Sequence, residues 1–199
     1  MSPLLCYMSY ATIPDAIQHI KATGPGCFLA KTDIKNAFWI ISFRSQDQGL
    51  LGIHGKGLYN YDRCMSMGCS SSCRTFATLS SAVEWIAQKK FKIDLIIHLL
   101  DHFLIIAPSK TLCQGQLHLF LDLCSYLGIP IAPEKTCGPA TTLSFAGIEL
   151  DSVSFEAHLP HDKLGKMCGH YFRFSESYSQ RSSVLDKFVE FHFFSGCTG

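Results

Sequence analysis

The sequence predicts an α+β fold in which helices pack on one face of an antiparallel sheet. Three observations predict it: apolar residues that recur with a helical period, short runs of branched and aromatic residues, and turn residues that join these runs into hairpins. The helices fall between pairs of strands, an order typical of α+β domains. With 199 residues, of which 47% are hydrophobic and 17% charged, the chain can form one domain with a sizeable core.

The first half of the chain carries one helix and three strand-length runs. The predicted elements are a helix over residues 13–22, a strand over 27–34, a turn over 36–41, and a hairpin that joins 50–53 to 58–61. The helix is ended by Gly24-Pro25-Gly26. Asp33 lies near the end of the predicted strand, where an acidic residue follows an apolar run.

The second half is predicted to begin with a helix and a buried hairpin. A helix runs to about Lys90, with serine hydroxyls of residues 70–72 at its N-terminus. Residues 96–106 form the hairpin, and Asp101 and His102 suit its tip because Asp and His tolerate positive φ. A helix over 111–127, a strand over 142–150 and a strand over 153–157 follow.

Composition and charge exclude several classes of protein. The formal net charge of +1 gives no basic footprint, so charge alone neither supports nor excludes a polynucleotide partner. No apolar run reaches the roughly 18 residues of a membrane-spanning helix, and the N-terminus lacks a signal-peptide pattern. We therefore expect an intracellular protein, cytoplasmic or nuclear and not secreted, with no membrane partner.

The ten cysteines match no ordinary zinc site and are expected to be reduced thiols, mostly buried, which disfavours a metal or redox protein.

Asp33 and Asp101 are the candidate site residues. A carboxylate held by apolar strands is unfavourable unless it meets a cation, hydrogen-bond donors or water. Taken alone, each residue is better interpreted as an ordinary strand end or turn residue.

Five segments in chain order resemble the motifs of one enzyme family. The segments are Ala-Lys-Thr-Asp-Ile-Lys-Asn-Ala-Phe (30–38), Met-Ser-Met-Gly-Cys-Ser-Ser-Ser-Cys-Arg-Thr-Phe (65–76), His-Leu-Leu-Asp-His-Phe-Leu (98–104), Leu-Gly-Ile-Pro-Ile-Ala-Pro-Glu-Lys-Thr (127–136) and Phe-Ala-Gly-Ile-Glu-Leu-Asp (145–151). Together they resemble the palm of a reverse transcriptase, and they are most similar to the enzymes of retrotransposons in the tyrosine-recombinase (DIRS) group. The resemblance covers about residues 9–164.

This resemblance implies a polymerase palm, a ferredoxin-like split βαβ sheet. Residues 1–164 are assigned to the palm, with the fingers largely missing. Residues 165–199 form an irregular or divergent tail, without the thumb and ribonuclease H domains of the family. The implied activity is RNA-directed DNA synthesis by two-metal nucleotidyl transfer, as part of a Pol-type polyprotein. The implied partners are an RNA or DNA template-primer and deoxynucleoside triphosphates, with two Mg²⁺ ions as cofactors.

The resemblance also assigns the site residues. Asp33, the Ile34 carbonyl and Asp101 are expected to hold the metal ions. The other expected nucleotide-binding residues, besides Ile34, are Phe38, Met67, Gly68 and Lys135. Phe38 would lie against the sugar, although a core phenylalanine is as well supported, and a turn glycine is equally natural at Gly68. Lys135 would protonate or electrostatically stabilise the leaving pyrophosphate, although without the flanking motif a solvated loop lysine is the better interpretation.

His102 departs from the family pattern because it occupies the place of a third carboxylate. Imidazole is a softer ligand than magnesium prefers, and its presence removes a negative charge. We therefore predict that magnesium-dependent synthesis is severely weakened or absent. The alternative is a non-catalytic transposon-derived remnant with at most weak nucleic-acid binding. Trp39 and Ser66, where the group commonly has Arg and Pro, favour this alternative.

Overall fold

The computed structural model describes residues 11–69, 71–160 and 172–173. The helices are α1 (Ile13–Thr23), α2 (Ser72–Phe91) and α3 (Lys110–Tyr126). The strands are β1 (Phe28–Asp33), β2 (Gly52–Gly55), β3 (Leu58–Tyr61), β4 (Ile96–Leu99), β5 (His102–Ala107), β6 (Cys137–Ala140), β7 (Thr142–Phe145), β8 (Ile148–Asp151), β9 (Glu156–His158) and β10 (Phe172–Arg173). Short 3₁₀ helices span Ala37–Ile40, Ser45–Leu51 and Pro133–Lys135. Of the predicted tail over 165–199, only β10 falls within the described residues.

The central sheet has the strand order β4-β5-β1-β6, and every neighbouring pair is antiparallel. Along the chain its elements follow as β1-α2-β4-β5-α3-β6, which is the split βαβ arrangement. The predicted α+β class is therefore confirmed. This topology places the last residue of β1 beside the first residue of β5 at the centre of the sheet.

Both faces of the central sheet are covered. Helices α2 and α3 occupy the predicted helical face, where Phe76, Phe103 and Phe120 are fully buried. The other face packs against α1 and a second sheet of order β10-β9-β8-β7, around Ile17 and Leu104. Because both faces are buried, β4 and β5 are nearly continuous apolar runs without alternation.

The structure corrects the prediction of one strand over residues 142–150. The segment forms two strands, β7 and β8, which are joined by Ala146-Gly147, with Phe145 paired to Ile148. Both turn residues have positive φ, 48° and 83°, as a two-residue type I′ hairpin requires. The Ala-Gly pair lacks the Asn or Asp that usually signals such a turn.

Two further details near strands differ from prediction. Strand β2 begins at Gly52, because Leu50 and Leu51 belong to the preceding 3₁₀ helix rather than to the hairpin. Strand β6 is absent from the predicted elements. It lies at the edge of the sheet, where a proline such as Pro139 is tolerated.

The serine hydroxyls before α2 do not cap its N-terminus as predicted. Ser71 is the N-cap residue, yet its side chain makes no capping bond and lies 3.4 Å from the Cys69 sulfur. Ser72 Oγ donates to the Ser66 carbonyl at 2.9 Å. The hydroxyls of these two residues therefore hold the preceding loop, and Ser70 lies outside the described residues.

A polar cluster that the sequence analysis missed joins α2 to the edge strand β4. The buried ring of His98 bonds Glu84 through Nδ1 and lies 3.4 Å from Ser81 Oγ through Nε2. Gln88 Nε2 donates to Glu84 Oε1 at 3.2 Å and to the Ile96 carbonyl at 3.1 Å. We assign these residues to the attachment of the edge strand.

Most cysteines were expected to be buried, but the cysteines of the described segments differ in their burial. Cys27, Cys113 and Cys124 are buried, Cys64, Cys69 and Cys73 are half-buried, and Cys137 is exposed. Burial raises the pKa of Cys113 to about 11 and that of Cys124 to about 12, so both thiols stay protonated.

Within residues 11–69 and 71–160, none of the helices has the length and apolar character of a membrane span.

Candidate functional site

Asp33 and His102 lie directly opposite each other on neighbouring strands. Asp33 ends β1, His102 begins β5, and the antiparallel register pairs them. Opposite residues of an antiparallel pair point to the same face, so the two side chains meet. The Asp33 carboxylate Oδ1 lies 2.8 Å from His102 Nδ1, and its side chain is only 7% exposed.

The turn between β4 and β5 corrects the predicted hairpin tip. Leu99 pairs with His102, so the tip is Leu100-Asp101, and positive φ is found at Leu100 (53°) rather than at Asp101 or His102. A left-handed conformation costs a non-glycine residue about 1–2 kcal/mol. Burial of the Leu100 side chain offsets this cost, since a buried leucine contributes about 1.5–3 kcal/mol.

The loop after α3 brings Lys135 to the same carboxylate. Ala132 N donates to the Asp33 carbonyl at 2.9 Å, and Lys35 N donates to the Pro130 carbonyl at 2.8 Å. The 3₁₀ helix that follows places Lys135 Nζ 3.1 Å from Asp33 Oδ2. Each oxygen of the Asp33 carboxylate therefore has its own basic partner.

The charges of this cluster stabilise one another. Burial opposes ionisation of Asp33, but the hydrogen bonds and charges of His102 and Lys135 outweigh it and hold the Asp33 pKa below its usual range. Burial likewise opposes protonation of His102, but Asp33 and Asp101 outweigh it and raise the His102 pKa. The pKa of Lys135 is raised by its bond to Asp33. The cluster is thus an internally paired set of ions.

Asp101 differs from Asp33 in its surroundings. It is half-buried, and its backbone carbonyl accepts a bond from Ile34 N at 2.9 Å. Among residues 11–69 and 71–160, its carboxylate has no hydrogen-bond partner. One side-chain ligand atom from each of Asp33, Asp101 and His102 lies within 4.8 Å of the others.

The donor set does not fit two magnesium ions. Magnesium prefers near-octahedral oxygen coordination, whereas one of these three donors is an imidazole nitrogen. Two dications about 4 Å apart repel by roughly 16 kcal/mol at an effective dielectric of about 20, which several carboxylates have to offset. Both Asp33 oxygens are already bonded to basic groups.

The other predicted nucleotide-side residues lie in different environments. The ring centroids of Phe38 and Phe76 lie 5.3 Å apart at the edge of the core. This contact favours the interpretation of Phe38 as a core residue. Met67 is exposed, and Gly68 has a φ of 88° in a turn. Ile34 is buried. The nucleotide contacts of these residues, and the metal contact of the Ile34 carbonyl, stay predictions.

The structure therefore brings Asp33, Asp101, His102 and Lys135 together. Sequence reasoning missed that Lys135 bonds Asp33 directly, and that Thr32 and Thr136 join their hydroxyls at 2.8 Å beside it. The anions that act on Lys135 besides Asp33 are Asp101 and Glu134.

Comparison with known proteins gives structural matches only. No family model matches the chain, and no curated protein matches it. One similar structure is the foamy viral protease-reverse transcriptase in complex with an RNA/DNA hybrid, with a TM-score of 0.60 and 14% identity over 70% of this chain and 18% of that one. The same protein in complex with double-stranded DNA has a TM-score of 0.59 and 15% identity, over 81% of this chain and 32% of that one.

A third structure, a form of that protease-reverse transcriptase designated dRH in complex with double-stranded DNA, has a TM-score of 0.62 and 14% identity, over 80% of this chain and 26% of that one. The described residues therefore have a reverse-transcriptase-like fold. The chain spans about a fifth to a third of the length of these three structures.

Proposed function

We propose that this chain is a reverse-transcriptase palm from the polyprotein of a DIRS-type retrotransposon, and that it binds template-primer nucleic acid. One observation carries the proposal: Asp33 and Asp101, far apart in the chain, meet beside His102 with ligand atoms within 4.8 Å. The central strands of a split βαβ sheet hold them there, as the motif order implies. The nucleic-acid complexes of the similar structures support the same class of partner.

We further propose that DNA synthesis is impaired in this chain. Nucleotidyl transfer of this class needs hard oxygen ligands for two cations. Here His102 takes the place of one ligand, and it shares the Asp33 carboxylate with Lys135. Without sufficient oxygen ligands, the chain's own residues can bind and orient nucleic acid but poorly support the transfer of a nucleotide.

The second candidate function is that of a non-catalytic, transposon-derived nucleic-acid-binding domain. The ion triad of His102, Asp33 and Lys135 favours it, because the triad neutralises the central carboxylate without any external cation. In this case the chain keeps the fold and a nucleic-acid-binding surface but does not catalyse nucleotide transfer.

Primer extension tests both candidates. The wild-type chain is compared with His102→Asp, with His102→Asp/Asp33→Asn as the negative control. His118→Asp serves as the matched control, because it makes the same change on the exposed side of α3. A primer on an RNA template, deoxynucleotides and Mg²⁺ are supplied, and binding of the template-primer is followed by fluorescence anisotropy.

We expect all variants to bind the template-primer, and His102→Asp alone to gain extension by at least about a hundredfold. Mg²⁺ should also raise the thermal midpoint of His102→Asp but not that of the wild-type chain. Extension by the wild-type chain near the rate of His102→Asp would refute the impairment. Binding without extension in every variant would favour the non-catalytic domain, and absence of binding would refute both candidates.

A further inference from the structure

The β2–β3 hairpin presents side chains that nothing in the described structure covers. All residues of both strands are exposed, and Tyr59 is 84% exposed. A two-stranded hairpin is marginal on its own in water, so its exposed rings are not explained by a core. The side chains of the hairpin are therefore available to a ligand.

The register sorts these side chains onto two different faces. His54 pairs with Tyr59 and Gly52 with Tyr61, so the three rings of His54, Tyr59 and Tyr61 share one face. The rings of His54 and Tyr59 already lie in contact, with centroids 4.5 Å apart. Ile53 and Leu58 lie on the opposite face. Tyr59 and Tyr61 are two positions apart on one strand, about 7 Å.

The charge of the hairpin favours an anionic partner. The segment 52–61 contains one cation, Lys56, and no acidic residue. Lys56 and Gly57 form the turn, both with positive φ. Next to the hairpin, Arg44 is bonded to Asp47 at 2.7 Å, and Asp62 lies beside the exposed Arg63 at the base, so residues 52–63 carry two cations and one anion.

The base of the hairpin is tied to the palm. Phe43 N donates to the Arg63 carbonyl at 2.9 Å, and Met65 N donates to the Ile41 carbonyl at 2.8 Å. Met65 itself is buried in the main core. The hairpin is therefore an anchored projection, on the segment that leaves the Asp33 end of β1.

We propose that the aromatic face of the β2–β3 hairpin binds single-stranded nucleic acid. Unpaired bases stack on Tyr59 and Tyr61, and Lys56 contacts the phosphate backbone. Bases inside a duplex have no free faces, so the surface selects single strands. The inference rests on the proposed function only for nucleic acid as the class of ligand.

Fluorescence anisotropy with a labelled oligodeoxythymidine tests the proposal on the full chain. Tyr59→Ala and Tyr61→Ala are compared with Leu58→Ala, which removes an apolar side chain from the opposite face of the same strand. An oligonucleotide of abasic sugar-phosphate units is the matched control ligand. Thermal unfolding confirms that each variant is folded.

We expect each tyrosine variant to bind oligodeoxythymidine about tenfold more weakly, Leu58→Ala to bind like the wild-type chain, and the abasic probe to bind all of them equally weakly. Lys56→Ala should lower the salt dependence of binding by a slope of about 0.7. Unchanged binding in both tyrosine variants overturns the proposal. Equal losses in Leu58→Ala and Tyr59→Ala also overturn it.

Two other outcomes also overturn the proposal. Self-association that is lost in Tyr59→Ala and Tyr61→Ala would identify a second copy of the chain as the occupant of the aromatic face. Binding of duplex template-primer with no binding of the single strand would refute the hairpin surface and leave the proposed function intact. Binding of the single strand alone, with loss in the tyrosine variants, would support the hairpin and refute template-primer binding by the palm.

Discussion

The two hairpins β4–β5 and β2–β3 share a design of short strands joined by a two-residue turn, yet they differ in almost every physical respect. β4–β5 is buried on both faces, and the two histidines of its strands are paired, His98 with Glu84 and His102 with Asp33. β2–β3 is exposed on both faces. A buried polar side chain is unfavourable without a partner, which explains the pairing of these histidines, whereas the second hairpin leaves its rings and its lysine to solvent or a ligand.

The largest expected difference concerns an aromatic residue of each hairpin. Phe103 is fully buried, and its ring lies 4.8 Å from that of Phe120, so Phe103→Ala should lower the free energy of unfolding by about 4 kcal/mol. Tyr59→Ala should change it by less than about 0.5 kcal/mol. Urea unfolding measures both. Similar losses would mean that the β2–β3 hairpin is packed against the rest of the protein.

The next largest difference in stability is expected between a glycine of the central sheet that contains β4–β5 and a glycine of the β2–β3 hairpin. A Cβ at Gly138 of β6 would lie 2.5 Å from the Leu29 carbonyl oxygen on β1, and its φ is 103°, so Gly138→Ala should cost about 3 kcal/mol. A Cβ at Gly57 would meet nothing within 4 Å, so Gly57→Ala should cost only about 1 kcal/mol, from its φ of 75°. The denaturation midpoints test this ranking, and a greater loss at Gly57 would contradict it.

The ion triad gives a third test. Asp33→Asn leaves His102 and Lys135 without their charged partner and should cost about 2 kcal/mol, less than a fully buried pair because Lys135 is largely exposed. Asp101→Asn is the matched control and should change stability by less than about 0.5 kcal/mol. Equal losses of stability in Asp33→Asn and Asp101→Asn, measured in chelator-treated buffer, would show that the ion pairs of Asp33 do not stabilise the fold.

The smallest expected effect is the pH dependence of that ion pair. The pKa of Asp33 is lowered from 3.8, so its stabilisation is present above pH 3.8 and is lost as the pH falls further. The pKa of His102 is raised from 6.5, so its stabilisation is present below pH 6.5 and is lost as the pH rises through the folded-state value. The stability difference between the wild-type chain and Asp33→Asn should therefore be greatest between these two values. A difference that does not vary with pH would contradict the pairing of His102 with Asp33.

Much of the fold was predictable because helical period and apolar runs are local signals. The bounds of α1, α2 and α3 agree with prediction to within one or two residues. The turn at Ala146-Gly147 and the edge strand β6 were not predictable, because pairing with a neighbouring strand decides both. The shift of the hairpin tip to Leu100 also depends on a distant partner, since burial of that leucine offsets its backbone conformation.

The sequence by itself identified the candidate site residues: Asp33 near the end of an apolar strand, and Asp101 and His102 in an apolar hairpin. Only the tertiary structure decided that Lys135 bonds Asp33 and that His102 takes its other oxygen. It likewise decided that His54, Tyr59 and Tyr61 share a face. The physical reason is the same in each case: a side chain's partners are set by strand register and by loops distant in sequence, which a local pattern does not encode.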